Sequence, residues 1–289
     1  MLKTKQKMWL ARQVQRFVMG ARRLAGAGPV AQVSRRGLRW ELDLREGIDF
    51  SIWLLGAFEP ETVRCYQNIV RPGHVVLDIG ANIGAHTLHL AQAVGPAGRV
   101  YAIEPTDYAF GKLVRNAALN PGLASRIQGL QYLLVAADAA DAPTAPLYSS
   151  WPLKSEAGVH HLHQGRLMAT EGASARRLDT VVASLGLQRL DCIKLDIDGA
   201  ECDMLRGARE TLTRWHPPII MELAPYVLEE KGTNLATLVG LLRDYGYSLS
   251  DAATGRPVTM EVAALDAMIP PGASLNVVAR AAATVPVAG

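Results

Sequence analysis

The chain is poor in cysteine, with Cys65, Cys192 and Cys202 as its three in 289 residues. An odd number without metal-ligand spacing excludes a disulfide framework and suits a reducing compartment. No apolar run reaches spanning length, which excludes an integral helical membrane protein. Internal repeats are absent. Residues 1–40 lack any acid yet hold ten Lys or Arg, so the net charge of +3 is unevenly divided, and the rest of the chain carries 20 basic against 27 acidic residues, a balance of −7. The basic character is confined to the amino-terminal segment and says little about the substrate. What the chain has in quantity is apolar side chain, 49% of the sequence, ample for one large domain or one domain with an appendage.

The basic segment has helical periodicity from Lys7 to Leu24. Leu10, Val14, Phe17, Val18, Ala21 and Leu24 share one face, with Arg12, Arg16 and Arg23 opposite. Arg12 and Arg16 interrupt the apolar core that a secretory signal requires, so a cytoplasmic protein is expected. Such a helix either lies on the anionic inner face of a membrane or packs its apolar side on the domain or on a second subunit. Residues 1–34 are read as this helix and its linker, 35–282 as one α/β domain, and 283–289 as a tail.

The organising stretch is Val75-Val76-Leu77-Asp78-Ile79-Gly80-Ala81-Asn82-Ile83-Gly84, a short buried strand that meets a glycine-rich turn before a new helix. A strand, a turn that lets backbone approach a ligand, and a helix amino terminus together make a cofactor cradle. A nicotinamide fingerprint wants G-x-G-x-x-G, and here Asn82 replaces the middle glycine while Asp78 stands two residues before Gly80. That spacing resembles the first motif of class I S-adenosylmethionine methyltransferases. Asp78 would face the cationic part of that cofactor, and the turn formed by Gly80, Ala81, Asn82 and Gly84 its carboxylate. Val100 to Ile103 form a second buried strand ending in Glu104-Pro105, where a carboxylate can accept both ribose hydroxyls.

Around this core, Arg39–Leu44 and Asp49–Leu55 read as the strands of an amino-terminal hairpin, Gly56–Gln67 as a helix, and Tyr108–Leu119 as another. Gln131–Ala137 reads as the third strand, with Asp138 past its tip, either accepting from the adenine amino group or solvated. Residues 141–175 form an excursion too long for an ordinary connection, read as a substrate lid. Within it, His160, His161 and His163 are a solvated cluster by default, with His161 a candidate base. A buried strand then runs into Asp196-Ile197-Asp198-Gly199-Ala200-Glu201, and Ile219–Leu223 is a further strand carrying Glu222 near its tip.

The order of these motifs resembles the FkbM family of class I methyltransferases. The likeness runs from Phe58-Glu59-Pro60-Glu61-Thr62, through Asp78 to Gly84 and Ile103-Glu104-Pro105, to Lys194-Leu195-Asp196-Ile197-Asp198-Gly199-Ala200-Glu201, where Asp198 stands in place of the family's more usual Glu. The resemblance implies a doubly wound, Rossmann-like, mostly parallel sheet of seven strands. It also implies methyl transfer from S-adenosylmethionine to a hydroxyl of a sugar, glycolipid or natural product. An alcohol is a poor nucleophile until its proton is removed or a metal lowers its pKa. Two roles therefore compete for Asp196, Asp198 and Glu222, namely general base with substrate binding, or oxygen ligands of a magnesium ion. Capping of the following helix is a third use for Asp198. Two other functions stay open: a cofactor-binding scaffold without catalysis, and a nicotinamide-dependent oxidoreductase. Nucleic acid is not an expected partner, since no Asn- or Asp-Pro-Pro-aromatic motif is present, and the oligomeric state is open.

Overall fold

A computed structural model of the chain describes residues 4–139, 145–153, 160 and 165–281. It opens with helix α1 (Thr4–Leu24), strands β1 (Val30–Arg35) and β2 (Leu38–Asp43), and helices α2 (Gly47–Leu55) and α3 (Pro60–Ile69). There follow β3 (Val75–Ile79), α4 (Thr87–Ala93), β4 (Arg99–Ile103), α5 (Asp107–Ala118), α6 (Pro121–Ala124) and β5 (Ile127–Leu130). Four short strands stand apart from the main sheet: β6 (Tyr132–Leu134), β7 (Leu147–Ser150), β8 (Arg166–Met168) and β9 (Ser174–Arg176). The second half runs α7 (Leu178–Ser184), β10 (Cys192–Leu195), α8 (Glu201–Arg206), α9 (Arg209–Trp215), β11 (Ile219–Leu223), α10 (Pro225–Glu230) and α11 (Leu235–Asp244). It ends with β12 (Tyr247–Asp251), β13 (Pro257–Val258), α12 (Val262–Met268) and β14 (Leu275–Ala281).

The main sheet has the order β13-β12-β14-β11-β10-β3-β4-β5. The strands from β11 to β5 pair in parallel, and β14 inserts antiparallel between β11 and β12. This is the expected Rossmann-like sheet of seven strands, with the two-residue β13 added at one edge. Its strands alternate between two cores, because successive side chains point to opposite faces. Leu77, Ile79, Ile193, Leu195, Ile219 and Met221 pack against α7, α8, α9 and α11. Val76, Cys192, Ile220 and Val278 pack on the other face with Val63 and Tyr66 of α3 and Leu90 of α4. Burial on both faces is why these strands read as nearly continuous apolar runs.

Two elements differ from the sequence expectation. Asp49–Leu55 is helical, closed by Gly56 in the left-handed region, whose N–H bonds to Ile52 O. The opening Asp49-Phe50-Ser51-Ile52 alternates polar and apolar as a strand does, too short a stretch to exclude a helix, and the hairpin partner of β2 is instead β1. The third strand of the nucleotide half is Ile127–Leu130, paired to β4, whereas Tyr132–Leu134 leaves the sheet to pair with β9. This edge strand is only partly buried, so a less apolar segment suffices there.

Helix α1 is folded onto the domain. Ala11, Val14, Val18 and Met19 pack against the core formed by the hairpin and α2, and the buried Gln15 donates from Nε2 to Leu44 O at 3.1 Å. Phe17 and Leu24 are exposed, and Leu10, about half exposed, reaches the cavity lining. No helix among the described residues is long and apolar enough to cross a membrane.

Candidate active site

The register of the parallel strands sets their carboxyl ends level. Ile79 pairs with Ile103 on one side and with Leu195 on the other, Leu195 pairs with Met221, and Glu222 pairs with Asn276. The next residues on β3, β4 and β10, namely Gly80, Glu104 and Asp196, therefore come side by side, with Glu222 beside them at the end of β11. All four line one cavity of about 820 Å³.

Gly80 sits at φ +77°, and a Cβ there would lie 1.7 Å from the Asp196 carbonyl oxygen. The two strand ends thus pass too closely for any side chain. Asn82 follows with its own backbone at φ +48°. Its N–H donates to Glu104 Oε2 at 2.9 Å, and its side-chain Nδ2 donates to Ser149 O at 3.1 Å. The other Glu104 oxygen accepts from Thr106 N at 3.0 Å and Thr106 Oγ1 at 2.5 Å. Burial pushes the Glu104 carboxyl up, and these bonds oppose the shift. Ala81 and Pro105 also line the cavity. Gly84 closes the turn behind them, its missing Cβ facing Leu113 Cδ1 at 3.0 Å.

Asp78 does not reach the cavity. It is fully buried one layer below, where Oδ2 accepts from Thr87 Oγ1 at 2.6 Å. Above it lies a residue whose role the sequence did not disclose. Lys194 Nζ stands 3.9 Å from Asp78 Oδ1, donates to Asp196 Oδ2 at 3.4 Å, and donates to Gly80 O at 3.3 Å. Burial alone would lower its pKa, but the charges of Asp196 and Asp78 outweigh that and hold it above the usual value. The ammonium ties the glycine turn to the acidic turn.

That acidic turn is held by Glu201, which accepts from Ile197 N and Gly199 N at 3.3 Å each. Burial, with Asp196 nearby, raises the Glu201 carboxyl to about 7. Neither Asp196 nor Asp198 caps the following helix, whose N-cap is Ala200. Asp198 lines the cavity with backbone at φ +49°, and burial followed by the charges of Asp196 and Glu201 pushes its carboxyl well up. Glu222 accepts from Ser274 Oγ and is likewise pushed well up by burial, Asp196 and Glu59.

The magnesium expectation finds no support here. Among the described residues no group of three or more His, Cys, Asp or Glu is placed to hold a metal ion. Asp196 is paired with Lys194, and Glu222 is turned to Ser274. Asp138 is also displaced from its expected use. It is exposed, outside the cavity lining, and accepts from Arg177 N at 2.8 Å and Thr180 Oγ1 at 2.7 Å, so its carboxylate serves the start of α7. His161 lies outside the described residues.

The segment after β6 contributes a wall. Leu147, Tyr148, Ser149, Trp151 and Leu153 line the cavity. They are clasped to the start of α2, with Gly47 N donating to Trp151 O at 2.8 Å and Ser150 Oγ to Glu46 Oε2 at 2.8 Å. Besides Lys194, the structure brings Glu59, Thr62, His86 and Asn276 to the cavity. His86 belongs to no histidine cluster or metal-spaced motif in the sequence. The available signal was a histidine immediately after the glycine turn, where the next helix begins.

The arrangement divides by chemistry. Gly80 to Asn82, Glu104 and Pro105 offer a turn with little side chain and a carboxylate to a cofactor, the N–H groups of Gly80 and Ala81 being donated to Ile103 O, while Asp196, Glu222, Asn276, Glu59 and Thr62 offer polar groups to a second reactant.

Known proteins share this sequence pattern. The family model described as Methyltransferase FkbM domain matches residues 78–249. Methyltransferase sdnD of Sordaria araneosa is 28% identical over 211 residues, which are 60% of this chain and 79% of that protein. The 31-O-demethyl-FK506 methyltransferase FkbM of Streptomyces tacrolimicus is 27% identical over 216 residues, 65% of this chain and 79% of that protein. The 2-O-methyltransferase NoeI of Sinorhizobium fredii is 28% identical over 156 residues, 50% of this chain and 61% of that protein.

Proposed function

Since the chain belongs to the FkbM methyltransferase family and is thereby an S-adenosylmethionine-dependent methyltransferase, we propose that its acceptor is a hydroxyl group of a sugar, glycolipid or natural product. The observation that carries this reading is the single cavity that joins a cofactor end at Gly80 and Glu104 to a polar end at Asp196, Glu222 and Asn276. Two relatives bear names that put their chemistry on oxygen.

The residues present fit the cofactor. Gly80 and Ala81 bring a turn with little side chain to the cavity wall, and Glu104 is fixed by three donors, two on Oε1 and one on Oε2, so Oε2 keeps an acceptor site for a ribose hydroxyl. Bound there, S-adenosylmethionine supplies a methyl carbon on a positively charged sulfur, open to in-line displacement. Orientation is the main contribution of the protein to such a reaction, worth up to about 7–11 kcal/mol. Asp196, held by Lys194 at 3.4 Å, aligns the acceptor hydroxyl at the strand tip. Asp198 and Glu222, biased toward their neutral forms, donate hydrogen bonds to the acceptor's other oxygens. Leu147, Tyr148, Trp151 and Leu153 cover one side of the cavity. Exposed Phe17 and Leu24 on a basic helix are suited to peripheral contact with an anionic membrane.

Calorimetry with S-adenosylmethionine, followed by methyl incorporation into a panel of glycans and lipids, tests the reading. Asp196→Asn is expected to bind the cofactor normally and to lose turnover by about a hundredfold or more. Full turnover in that variant removes the role, and cofactor binding without turnover on any acceptor favours a scaffold.

A further inference from the structure

His86 is the N-cap residue of α4, and its side chain is 3% exposed. It lines the cavity, yet neither Nδ1 nor Nε2 has a hydrogen-bond partner. Buried polar groups are nearly always paired, so a ring with two unmet nitrogens beside a substrate cavity calls for a ligand. Packing fixes the ring. Phe58 lies 5.8 Å away at 58° and Tyr66 lies 5.9 Å away, edge-on at 88°.

The charged and titratable groups around it come from three elements. At the start of α3, Glu59 Oε2 stands 4.0 Å from His86 Nε2, and within that helix Tyr66 presents its ring. His89 lies on α4 itself and Lys194 on β10. Burial first, then the charges of Lys194 and His89, hold the imidazole neutral, far below its usual titration range. Glu59 is also backbone-strained, at φ +43° and ψ +69°. Of the five non-glycine residues at positive φ among the described residues, Glu59, Asn82 and Asp198 line this cavity. Such strain persists where the surroundings over-determine it, commonly at working sites.

We propose that His86 is a catalytic residue, its unpartnered ring nitrogen receiving the acceptor hydroxyl's hydrogen bond and then its proton. This rests on the hydroxyl-acceptor reading above. The bond between methyl carbon and sulfur breaks with its electron pair left on sulfur, an oxygen lone pair forms the new carbon–oxygen bond, and the hydroxyl proton passes to the ring. One positive charge disappears at sulfur as one appears on the imidazole, so the cavity's net charge is unchanged, and even a weakly basic ring suffices. Glu59, at 4.0 Å and with a side chain 30% exposed, stabilises the imidazolium and leads the proton to water.

The test uses the full-length protein saturated with S-adenosylhomocysteine. In ¹⁵N-histidine spectra, with His86 assigned through His86→Gln, the ring is expected to be neutral at pH 7. Its unprotonated nitrogen is expected to shift when glycerol is added as a hydroxyl probe. A doubly protonated ring, or one indifferent to glycerol, overturns the proposal without any acceptor being known. On an acceptor methylated in the panel, His86→Gln is expected to lower kcat about a hundredfold or more with donor Kd within about twofold. Added imidazole is expected to restore part of the rate in His86→Gly. Wild-type kcat and an unchanged pH profile in His86→Gln overturn the proposal equally. Failure of the wild-type chain to bind S-adenosylmethionine would instead count against the function on which the proposal rests.

Discussion

Lys194 shows how one side chain organises several strand ends. Its ammonium faces Asp78, Asp196 and the Gly80 carbonyl, and removing one partner from such a buried cluster leaves charge without compensation. Lys194→Met is expected to lower stability by about 3–5 kcal/mol in chemical denaturation and to weaken cofactor binding. Adding Asp78→Asn should recover part of the stability, since it removes the stranded carboxylate. Glu201 gives the acidic turn a pH dependence of definite sign. Its carboxyl rises from an ordinary 4.5 to about 7 on folding, so the folded state binds the extra proton. The associated stability is fully present below pH 4.5 and is lost as pH rises through about 7, up to about 3 kcal/mol for this one group. Glu201→Gln retains an oxygen for Ile197 N and Gly199 N, and should flatten the dependence of denaturation midpoint on pH between 5 and 8.

Among the elements, α1 serves two surfaces. Its inward residues pack on the hairpin core, and its outward residues include exposed Phe17 and Leu24. The sequence placed Val14, Val18, Phe17 and Leu24 on one apolar face, but a helix lying on a small core covers only part of such a face. Phe17→Glu is expected to abolish co-sedimentation with anionic phosphatidylglycerol vesicles while leaving the melting temperature unchanged. Equal sedimentation of both proteins would remove the membrane reading. The helix at Gly47–Leu55 and the edge strand at Ile127–Leu130 were not legible, for related reasons. Four residues of polar–apolar alternation at Asp49 to Ile52 mimic a strand, and an edge strand needs little apolar side chain. Asp138 was misplaced with that strand, because an acid just past an apolar run becomes a strand tip only if the run joins the sheet.

Across the whole molecule, a cofactor cavity built from several separate strand ends couples binding to folding. S-adenosylmethionine at about a hundred times its Kd should raise unfolding free energy by about 2.7 kcal/mol. A thermal-shift measurement with nicotinamide dinucleotide as control is expected to show no comparable effect. By itself the sequence determined the cofactor turn, the buried parallel strands and the acidic tips, because those depend on local period and on residues a few positions apart. Only the tertiary structure decided that Asp78 lies beneath the cavity, that Lys194 binds the two turns together, and that His86 lines the cavity with both ring nitrogens buried and without a hydrogen bond. Those outcomes depend on strand register and on distances between segments more than a hundred residues apart, which no local pattern encodes.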